Sequence, residues 1–466
     1  MKWTEFTRWG EWVSQWAARY HGSLRQRPVR AQTLPGDIIA QLPASPPEQS
    51  EKMEQILEDF ERIVMPGITH WQHPRFFAYF PANAAPPSML AEMLVSTIAP
   101  QCMLWQTSPA ATEMENRMLD WLRQAIGLQD RFSGVIQDSA SSATLAAVLT
   151  MREKTLAWTG NQNGLSEHPR LRIYASSEAH SSIDRAIWVA GIGQENLVSI
   201  PIEHGHLRSM DADALNSAIL ADQQAGYMPA GVIACTGGTG VGACDQLSQV
   251  LKVAKRHGLY AHVDAAWAGA AMICPEYRYL WEGVDMADSI VFNPHKWLGA
   301  QFDCSAHFLA DPEDLVRTLA IQPEYLKTHG TDGVINYSEW SLPLGRRFRA
   351  LKLWFLIRSY GLESLRERIR NHVNWSQNLS RKLAKHTQFE LVTSPVLSLF
   401  SFKPASATDQ QVIDYVNRIN DDGRIYVTQT RVDGQIVVRF QVGQFNALES
   451  DVDFAYDVLC ELVGGR

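Results

Sequence analysis

The chain contains the stretch Asn293-Pro294-His295-Lys296-Trp297, which directly follows the apolar run Ser289–Phe292. Earlier in the chain, Asp264 lies at the end of a similar run, Tyr260–Ala265. Pyridoxal phosphate chemistry needs a lysine and an aspartate in such places. The amine forms an imine with the cofactor aldehyde, and the carboxylate keeps the pyridine nitrogen protonated. Either residue alone would be an ordinary surface or strand-end group, but the pair in this order predicts a cofactor site.

The composition is that of an ordinary globular protein: of 466 residues, 45% are hydrophobic and 20% charged, which leaves room for two or three domains. The net charge of −8 comes without a lysine- or arginine-rich block, so no nucleic-acid surface is expected. No apolar run is long enough to span a membrane, and the start lacks the apolar core of a secretory signal. The six cysteines include no Cys-x-x-Cys pair, which argues against a zinc site and against disulfides. We therefore expect a cytoplasmic protein without a metal.

Between about residues 86 and 350, short apolar runs alternate with helix-like stretches. The runs are Gly134–Gln137, Leu171–Ala175, Leu197–Ile202, Gly231–Cys235, Tyr260–Ala265, Ser289–Phe292 and Cys304–Leu309. This alternation predicts an α/β fold with a mostly parallel central sheet covered by helices on both faces. Ligands in such folds bind at the carboxyl ends of strands, which is where Asp264 and Lys296 fall.

The flanking segments have different patterns. Aromatic residues recur every three or four positions near the start, which predicts a helix that packs on the chain's own core or against a partner subunit; they are Trp3, Phe6, Trp9, Trp12 and Trp16. The later β-like runs are Glu390–Phe402, Arg424–Thr428 and Gln435–Gln441. We predict three parts: an N-terminal helical dimerisation arm (1–85), a large cofactor-binding α/β domain (86–350) and a small C-terminal α+β domain (351–466).

A phosphate site is predicted within residues 134–144, where a strand runs into small hydroxyl residues at a helix start. Free N–H groups and the helix dipole favour an anion at such a place. Ala140 and Ser141 are small enough to let backbone donors approach it, and Ser141 can add its hydroxyl. Asp138 is an awkward neighbour for a dianion, so we expect it to point away or to cap the helix.

The glycine-rich stretch Gly237–Gly242 lacks the ending of a P-loop and the spacing of a dinucleotide motif, so it predicts no nucleotide site. We expect it to let the backbone pass close to the cofactor, with Thr236 beside the ring. His180 follows another strand, where its imidazole could stack on the pyridine ring and contact the substrate carboxylate. Taken alone, a histidine there would be a hydrogen-bonded core residue.

Six segments occur in a recognisable order along the chain. They are Gly67–Trp71, Phe76–Pro81, Ala179–Ser182, His262–Ala266, Asn293–Trp297 and Pro343–Arg349. With them the chain resembles, over nearly its whole length, the group II pyridoxal-phosphate decarboxylases, and specifically the aromatic-L-amino-acid decarboxylases. The resemblance implies a fold type I enzyme that decarboxylates tryptophan, 5-hydroxytryptophan, tyrosine, phenylalanine or dihydroxyphenylalanine. It also implies an obligate homodimer with shared active sites.

The same resemblance implies roles for individual residues. Lys296 would be the Schiff-base lysine, Asp264 the partner of the pyridinium nitrogen, and His180 the stacking residue. The implied cofactor pocket comprises Ala140, Ser141, His180, Thr236, Asp264, Ala266, Asn293 and Lys296. The implied substrate contacts are Trp71, Tyr79, Phe80, Ala82, Gln101, Met103 and Gly345. Tyr325 resembles the tyrosine of a catalytic loop that returns a proton to the α-carbon.

Two departures from the family pattern and one likeness to some of its members concern the substrate. Ala82 stands where animal members have threonine, which argues against dihydroxyphenylalanine. Gln101 brings a polar group to a usually apolar pocket wall. Gly345 resembles members that accept bulky indoles, so tryptophan-like substrates are favoured.

Four other functions remain open from the sequence. An aromatic aldehyde synthase is one, although related synthases carry phenylalanine at the position of Tyr325. A decarboxylase of a non-aromatic amino acid is another, kept open by Gln101. An aminotransferase would share Lys296 and Asp264, and the last alternative is a cofactor-binding protein without catalysis.

Overall fold

The computed structural model describes residues 2–321 and 333–464. The chain forms two compact units. The first unit consists of Met1–Pro81, Trp375–Val392 and Ser401–Arg466, and the second of Ala82–Asn374 and Thr393–Phe400. The three-part division expected from the sequence stays a prediction.

The regular elements are numbered in chain order. The helices are α1 (Trp3–Ser23), α2 (Met53–Asp59), α3 (Pro86–Ile98), α4 (Pro109–Ile126), α5 (Ala140–Thr155), α6 (Gly160–Asn163), α7 (Ser182–Val189), α8 (Ala212–Gln224), α9 (Leu247–Arg256), α10 (Pro312–Leu319), α11 (Ala350–Lys385, interrupted at Gly361), α12 (Asp409–Asp422) and α13 (Glu449–Val463). The strands are β1 (Ser133–Gln137), β2 (Leu171–Ser176), β3 (Leu197–Ile200), β4 (Met228–Cys235), β5 (Tyr260–Asp264), β6 (Ser289–Phe292), β7 (Ser305–Leu309), β8 (Phe389–Val396), β9 (Leu399–Pro404), β10 (Thr428–Val432) and β11 (Gln435–Gln441).

The second unit is built on a seven-stranded sheet with the order β1-β7-β6-β5-β4-β2-β3. The pairs β2/β3, β2/β4, β4/β5 and β5/β6 are parallel. Strand β7 runs antiparallel to both of its neighbours, β1 and β6. Parallel pairs require crossover connections, and helices such as α7, α8 and α9 supply them. The predicted mostly parallel α/β sheet is confirmed.

The strands form where the sequence is continuously apolar. Every residue of β5 and β6 is buried, as expected for parallel strands covered on both faces. Helix α9 shows the complementary pattern, since Leu247, Val250, Leu251, Val253 and Ala254 form its buried stripe. Burying each Leu or Val stabilises the fold by about 1.5–3 kcal/mol. All seven predicted strands are present within three residues of the expected bounds.

The first unit contains α1, α2, α12, α13 and most of a four-stranded sheet with the order β10-β11-β9-β8. Strands β10 and β11 form a hairpin, in which Asp433 and Gly434 both have positive φ, 46° and 83°. These values fit a two-residue turn whose twist matches the strands.

Two predicted boundaries are wrong. Residues 390–402 make two strands because the chain turns at Leu397, and the run Arg424–Thr428 enters β10 only at its last residue.

Helix α1 confirms the aromatic stripe predicted near the start of the chain. None of its residues is buried, and Trp3 and Phe6 are 81% and 50% exposed. Farther along the helix, Trp16 stacks on Tyr20 at 5.2 Å and meets Phe60 edge-on at the same distance. The later part of the stripe therefore packs on the chain's own residues, whereas its beginning is exposed in the single chain.

Candidate active site

The predicted cofactor residues lie at one edge of the sheet in the second unit. Asp264 is the last residue of β5, Lys296 follows β6, Thr236 follows β4, and His180 lies between β2 and α7. These four strands are mutually parallel in the sheet, so their carboxyl ends meet at the same edge. The topology thus brings together residues that are far apart in the sequence.

Lys296 lies in a single wide helical turn, Pro294–Leu298, immediately after β6. Hydrogen bonds hold both backbone groups of the lysine. The Lys296 N–H donates to the carbonyl oxygen of Asn293 at 2.9 Å, and the Asn83 side-chain amide donates to the carbonyl oxygen of Lys296 at 2.9 Å. The neighbours His295 and Trp297 are buried, whereas Lys296 is half-buried. The lysine side chain is therefore carried on a fixed backbone at the sheet edge.

Two tryptophans form the packing beneath this turn. The rings of Trp267 and Trp297 stack at 4.9 Å with an interplanar angle of 18°, and both side chains are fully buried. The Trp297 indole N–H donates to Nδ1 of His372 at 2.9 Å. Trp267 is thus a core residue.

Asp264 is 7% exposed. Its Oδ1 accepts the backbone N–H of Ala266 at 3.0 Å, which fixes the orientation of the carboxylate. The carbonyl oxygen of Ala266 in turn accepts the N–H of Asn293 at 2.9 Å, and the Asn293 side-chain oxygen accepts the hydroxyl of Ser305 at 2.6 Å. Three of the predicted cofactor residues, Asp264, Ala266 and Asn293, therefore belong to one hydrogen-bonded network.

Thr236 is fully buried. Among the described residues, its hydroxyl has no hydrogen-bond partner. A buried hydroxyl without a partner costs free energy, so a group outside the chain is expected to use it.

Gly237, at the start of the glycine-rich stretch, is held in close packing. Gly237 has a φ of 84°, and a Cβ there would lie 2.5 Å from Cβ of Ala268 and 3.0 Å from the Trp267 ring. Glycine is required because the backbone passes close to Trp267 and Ala268. This packing accounts for the glycine at 237, and the expected passage of the stretch close to the cofactor stays a prediction.

The predicted phosphate site lies at the start of α5. Its N-cap is Ser139, whose Oγ accepts the N–H of Ser142 at 3.2 Å. Ala140 is buried and Ser141 is exposed at the first turn, where free N–H groups attract an anion. Asp138 does not cap the helix; its Oδ1 accepts the hydroxyl of Ser139 at 3.1 Å.

His180 is oriented by its neighbour in α7. Its Nδ1 lies 2.8 Å from the Ser182 hydroxyl and accepts the Ser182 backbone N–H at 3.1 Å. A nitrogen that accepts an N–H carries no proton, so in the neutral ring the proton is on Nε2. The residue is exposed overall, yet desolvation of the ring lowers its pKa below 6.5. The charge of Asp264 opposes this shift and that of Lys296 adds to it, so both groups act on the imidazole.

The predicted substrate residues divide between the two units. Trp71, Tyr79 and Phe80 belong to the first unit. There Trp71 and Tyr79 stack at 5.7 Å and are 40% and 47% exposed, while Phe80 is buried under the Arg439 guanidinium. Ala82, Gln101, Met103 and Gly345 belong to the second unit. Tyr325 lies outside the described residues.

Two supporting residues, Asn83 and Ser182, had no recognisable signal in the sequence, and a third, Ser139, had one as a helix cap. Asn83 hydrogen-bonds to Lys296. Ser139 hydrogen-bonds to the start of α5, and Ser182 to His180. Each is a common polar residue whose partner is fixed only by folding. The pattern that marks an N-cap, a small hydroxyl residue before a helix, could have identified Ser139.

The side chains present fit pyridoxal phosphate. The buried Thr236 hydroxyl lacks a partner among the described residues, the Asp264 carboxylate is held at the sheet edge, and the α5 start offers anion donors. Within residues 2–321 and 333–464, no group of three or more His, Cys, Asp or Glu side chains is arranged to hold a metal ion. None of the helices in those same ranges is long and apolar enough to cross a membrane.

Comparison with known proteins agrees with this geometry. A family model described as the pyridoxal-dependent decarboxylase conserved domain matches residues 35–405. The chain is 38% identical to the aromatic-L-amino-acid decarboxylase of Mus musculus over 472 residues, covering 98% of this chain and 97% of that protein. It is 35% identical to phenylacetaldehyde synthase of Arabidopsis thaliana over 471 residues, covering 98% and 95%. The structure is similar to a crystal structure of Oryza sativa TDC with PLP and tryptamine, with a TM-score of 0.96, 33% identity and coverage of 100% and 98%.

The chain belongs to the pyridoxal-dependent decarboxylase family. Pyridoxal phosphate is its cofactor, and the predictions of a fold type I enzyme and of a carboxy-lyase that acts on an amino acid are confirmed. The roles assigned to individual site residues stay predictions.

Proposed function

We propose that this chain converts an aromatic L-amino acid into the corresponding arylalkylamine and carbon dioxide. The observation that carries the proposal is the meeting of Lys296, Asp264 and His180 at one edge of the sheet. The Thr236 hydroxyl lies beside them and has no hydrogen-bond partner within residues 2–321 and 333–464. The names of the full-length relatives support the aromatic substrate.

The chemistry supplied by the bound cofactor is an electron sink for the α-carbon as carbon dioxide leaves. The chain's own residues hold and orient the reactants. Lys296 is proposed to hold the cofactor through Nζ and to carry a proton there when the product leaves. The carboxylate of Asp264, oriented by the Ala266 N–H, is proposed to keep a positive charge on the ring nitrogen. The donors at Ala140 and Ser141 and the side chain of Asn293 are proposed to bind the phosphate end.

His180 is proposed to orient the substrate. Because its Nδ1 accepts from Ser182, its Nε2–H is the end that can donate to the substrate carboxylate. The proposed substrate contacts are Trp71, Tyr79, Phe80, Ala82, Gln101, Met103 and Gly345. Tyr325 is proposed as the proton donor to the α-carbon. A homodimer and a cytoplasmic location also stay proposals.

A second candidate is an aromatic aldehyde synthase, favoured by the likeness to phenylacetaldehyde synthase. Tyr325 favours decarboxylation, because the resemblance assigns phenylalanine to that position in synthases.

The experiment that tests the proposal is product identification. Cofactor-loaded protein is incubated with a panel of L-amino acids, and the products are identified by mass, with Lys296→Ala as the control. We expect equal amounts of arylalkylamine and carbon dioxide from at least one aromatic substrate and none from the variant. An aldehyde with hydrogen peroxide would indicate a synthase, a keto acid would indicate an aminotransferase, and turnover of non-aromatic substrates alone would contradict the proposal.

A further inference from the structure

Gln101 and Gly345, two predicted substrate residues from distant parts of the sequence, meet in the second unit. The backbone N–H of Arg346 donates to Oε1 of Gln101 at 2.7 Å. The N–H of Cys102 donates back to the carbonyl oxygen of Arg346 at 3.0 Å. The Gln101 side chain therefore takes the place of a backbone acceptor in a short two-way pairing between the two segments.

The Arg346 end of this pairing is fixed in the core. The guanidinium Nη2 lies 2.7 Å from Oε1 of Glu115, and these side chains are only 1% and 3% exposed. The same Nη2 donates to the carbonyl oxygen of Ile136, and Glu115 accepts the Ile136 N–H, both at 2.8 Å. Hydrogen bonds thus hold Arg346 against β1. Because the Arg346 N–H donates to Oε1 of Gln101, this oxygen is held in place relative to β1 as well.

This anchoring settles the orientation of the Gln101 amide. An amide oxygen that accepts an N–H places the NH₂ group on the opposite side. A Cβ built on Gly345 would lie 3.3 Å from Nε2 of Gln101, so the NH₂ group occupies the space that glycine leaves open. Gln101 is exposed. Its outward end is consequently a donor of hydrogen bonds held at a fixed position beside Gly345.

We propose that Gln101 is a specificity residue whose Nε2–H donates to a hydroxyl oxygen on the aromatic ring of the substrate. This inference rests on the proposed function, which places Gln101 and Gly345 among the substrate contacts. It narrows the substrate class to ring-hydroxylated aromatic L-amino acids, either phenols or hydroxyindoles. A donor that is already oriented gains the hydrogen bond without the cost of ordering the side chain.

The test compares substrate pairs that differ by one ring hydroxyl, tyrosine with phenylalanine and 5-hydroxytryptophan with tryptophan. The holoenzyme and its Gln101→Met variant are assayed for kcat/KM on all four. Methionine keeps the length of the side chain and removes the donor. We expect the hydroxylated member of at least one pair to be preferred by the native enzyme. In the variant this preference falls roughly two- to twelvefold, the value of one hydrogen bond. The pair that responds identifies the ring.

The ratio within a pair separates recognition from a structural effect, because a distorted site would lower both members alike. Gln106→Met, at an exposed glutamine nearby, is the matched control and should leave both ratios unchanged. If Gln101→Met does not fold, Gly345→Ala displaces the amide by its Cβ and should lower the same ratio. Equal use of both members by the native enzyme, or unchanged ratios in the variants, would overturn the inference while leaving aromatic decarboxylation in place. If the native enzyme turns over no aromatic amino acid, the proposed function itself fails and the inference falls with it.

Discussion

The ammonium of Lys352 lies 2.7 Å from Oε1 of Glu92 and is completely buried. It also donates to the carbonyl oxygens of Gln301 and Asp303 at 3.1 and 3.0 Å. These carbonyls belong to the loop that follows the Lys296 turn. A lysine without solvent contact is thereby fully paired, and it ties that loop to α3.

Replacing this lysine should be costly. Lys352→Met leaves the largely buried Glu92 with the Arg347 pair alone and removes the donor for two carbonyl groups. Loss of one partner of a buried ion pair destabilises a fold by about 3–5 kcal/mol, which denaturant unfolding would measure. Lys382→Met is the matched control, because the Lys382–Asp453 pair is about half exposed and should contribute under about 1 kcal/mol. Equal losses of stability in the two variants would show that the buried Lys352–Glu92 pair stabilises the fold no more than the exposed pair.

A substitution at Thr236 can distinguish an effect on protein stability from an effect on cofactor binding. Thr236→Val keeps the shape of the side chain and removes a buried hydroxyl that has no partner among the described residues. We expect the apoprotein to be as stable as the native chain or slightly more so. The dissociation constant of pyridoxal phosphate should rise roughly two- to twelvefold. Titration of the apoprotein followed by absorbance measures this, and an unchanged affinity would show that the hydroxyl does not contact the cofactor.

The pH dependence of kcat/KM should reflect the protonation of His180. Partial burial and the Lys296 charge lower the pKa of this imidazole below 6.5, so the ring is neutral at pH 7 and gains its proton only on acidification. Protonation of Nδ1 breaks the hydrogen bond from Ser182. We therefore expect kcat/KM to fall on the acid side of pH 6.5. His180→Gln should lose this acid limb and lower kcat/KM roughly tenfold to a hundredfold, the value of a hydrogen bond to a charged group. An acid limb that persists in the variant would assign the titration to another group.

The pH dependence of the free energy of unfolding should reflect the protonation of His307. Burial lowers its pKa to about 3, and neither ring nitrogen has a hydrogen-bond partner in the part of the chain that the structure describes. The unfolded chain binds a proton near pH 6.5, so stability is complete above that value and is lost as the pH falls toward 3. His307→Leu should reduce the slope of the free energy of unfolding in this window by about 1.4 kcal/mol per pH unit. Leucine in place of the exposed His204 should leave the slope unchanged; an equal effect there would refute the assignment.

The sequence predicts most of the sheet and the positions of Lys296 and Asp264, because buried parallel strands are continuous apolar runs and their carboxyl ends follow from topology. What it missed depends on single backbone angles or on distant partners. The turn at Leu397, with a φ of 52°, splits a run that looks like one strand. The requirement for Gly237 comes from Trp267 and Ala268, and the partners of Gln101 and Lys352 lie far away in the chain. Such contacts are created by folding and leave no local pattern.

Chemical trapping can measure whether Lys296 holds the cofactor. The cofactor-loaded protein is reduced with borohydride, digested, and mapped by peptide mass spectrometry. We expect the added mass of the reduced cofactor on Lys296, and we expect the loaded Lys296→Ala variant to lack the imine absorbance band of the loaded native protein. Stable attachment to another lysine, or an imine band in the loaded variant equal to that of the native protein, would show that Lys296 does not hold the cofactor.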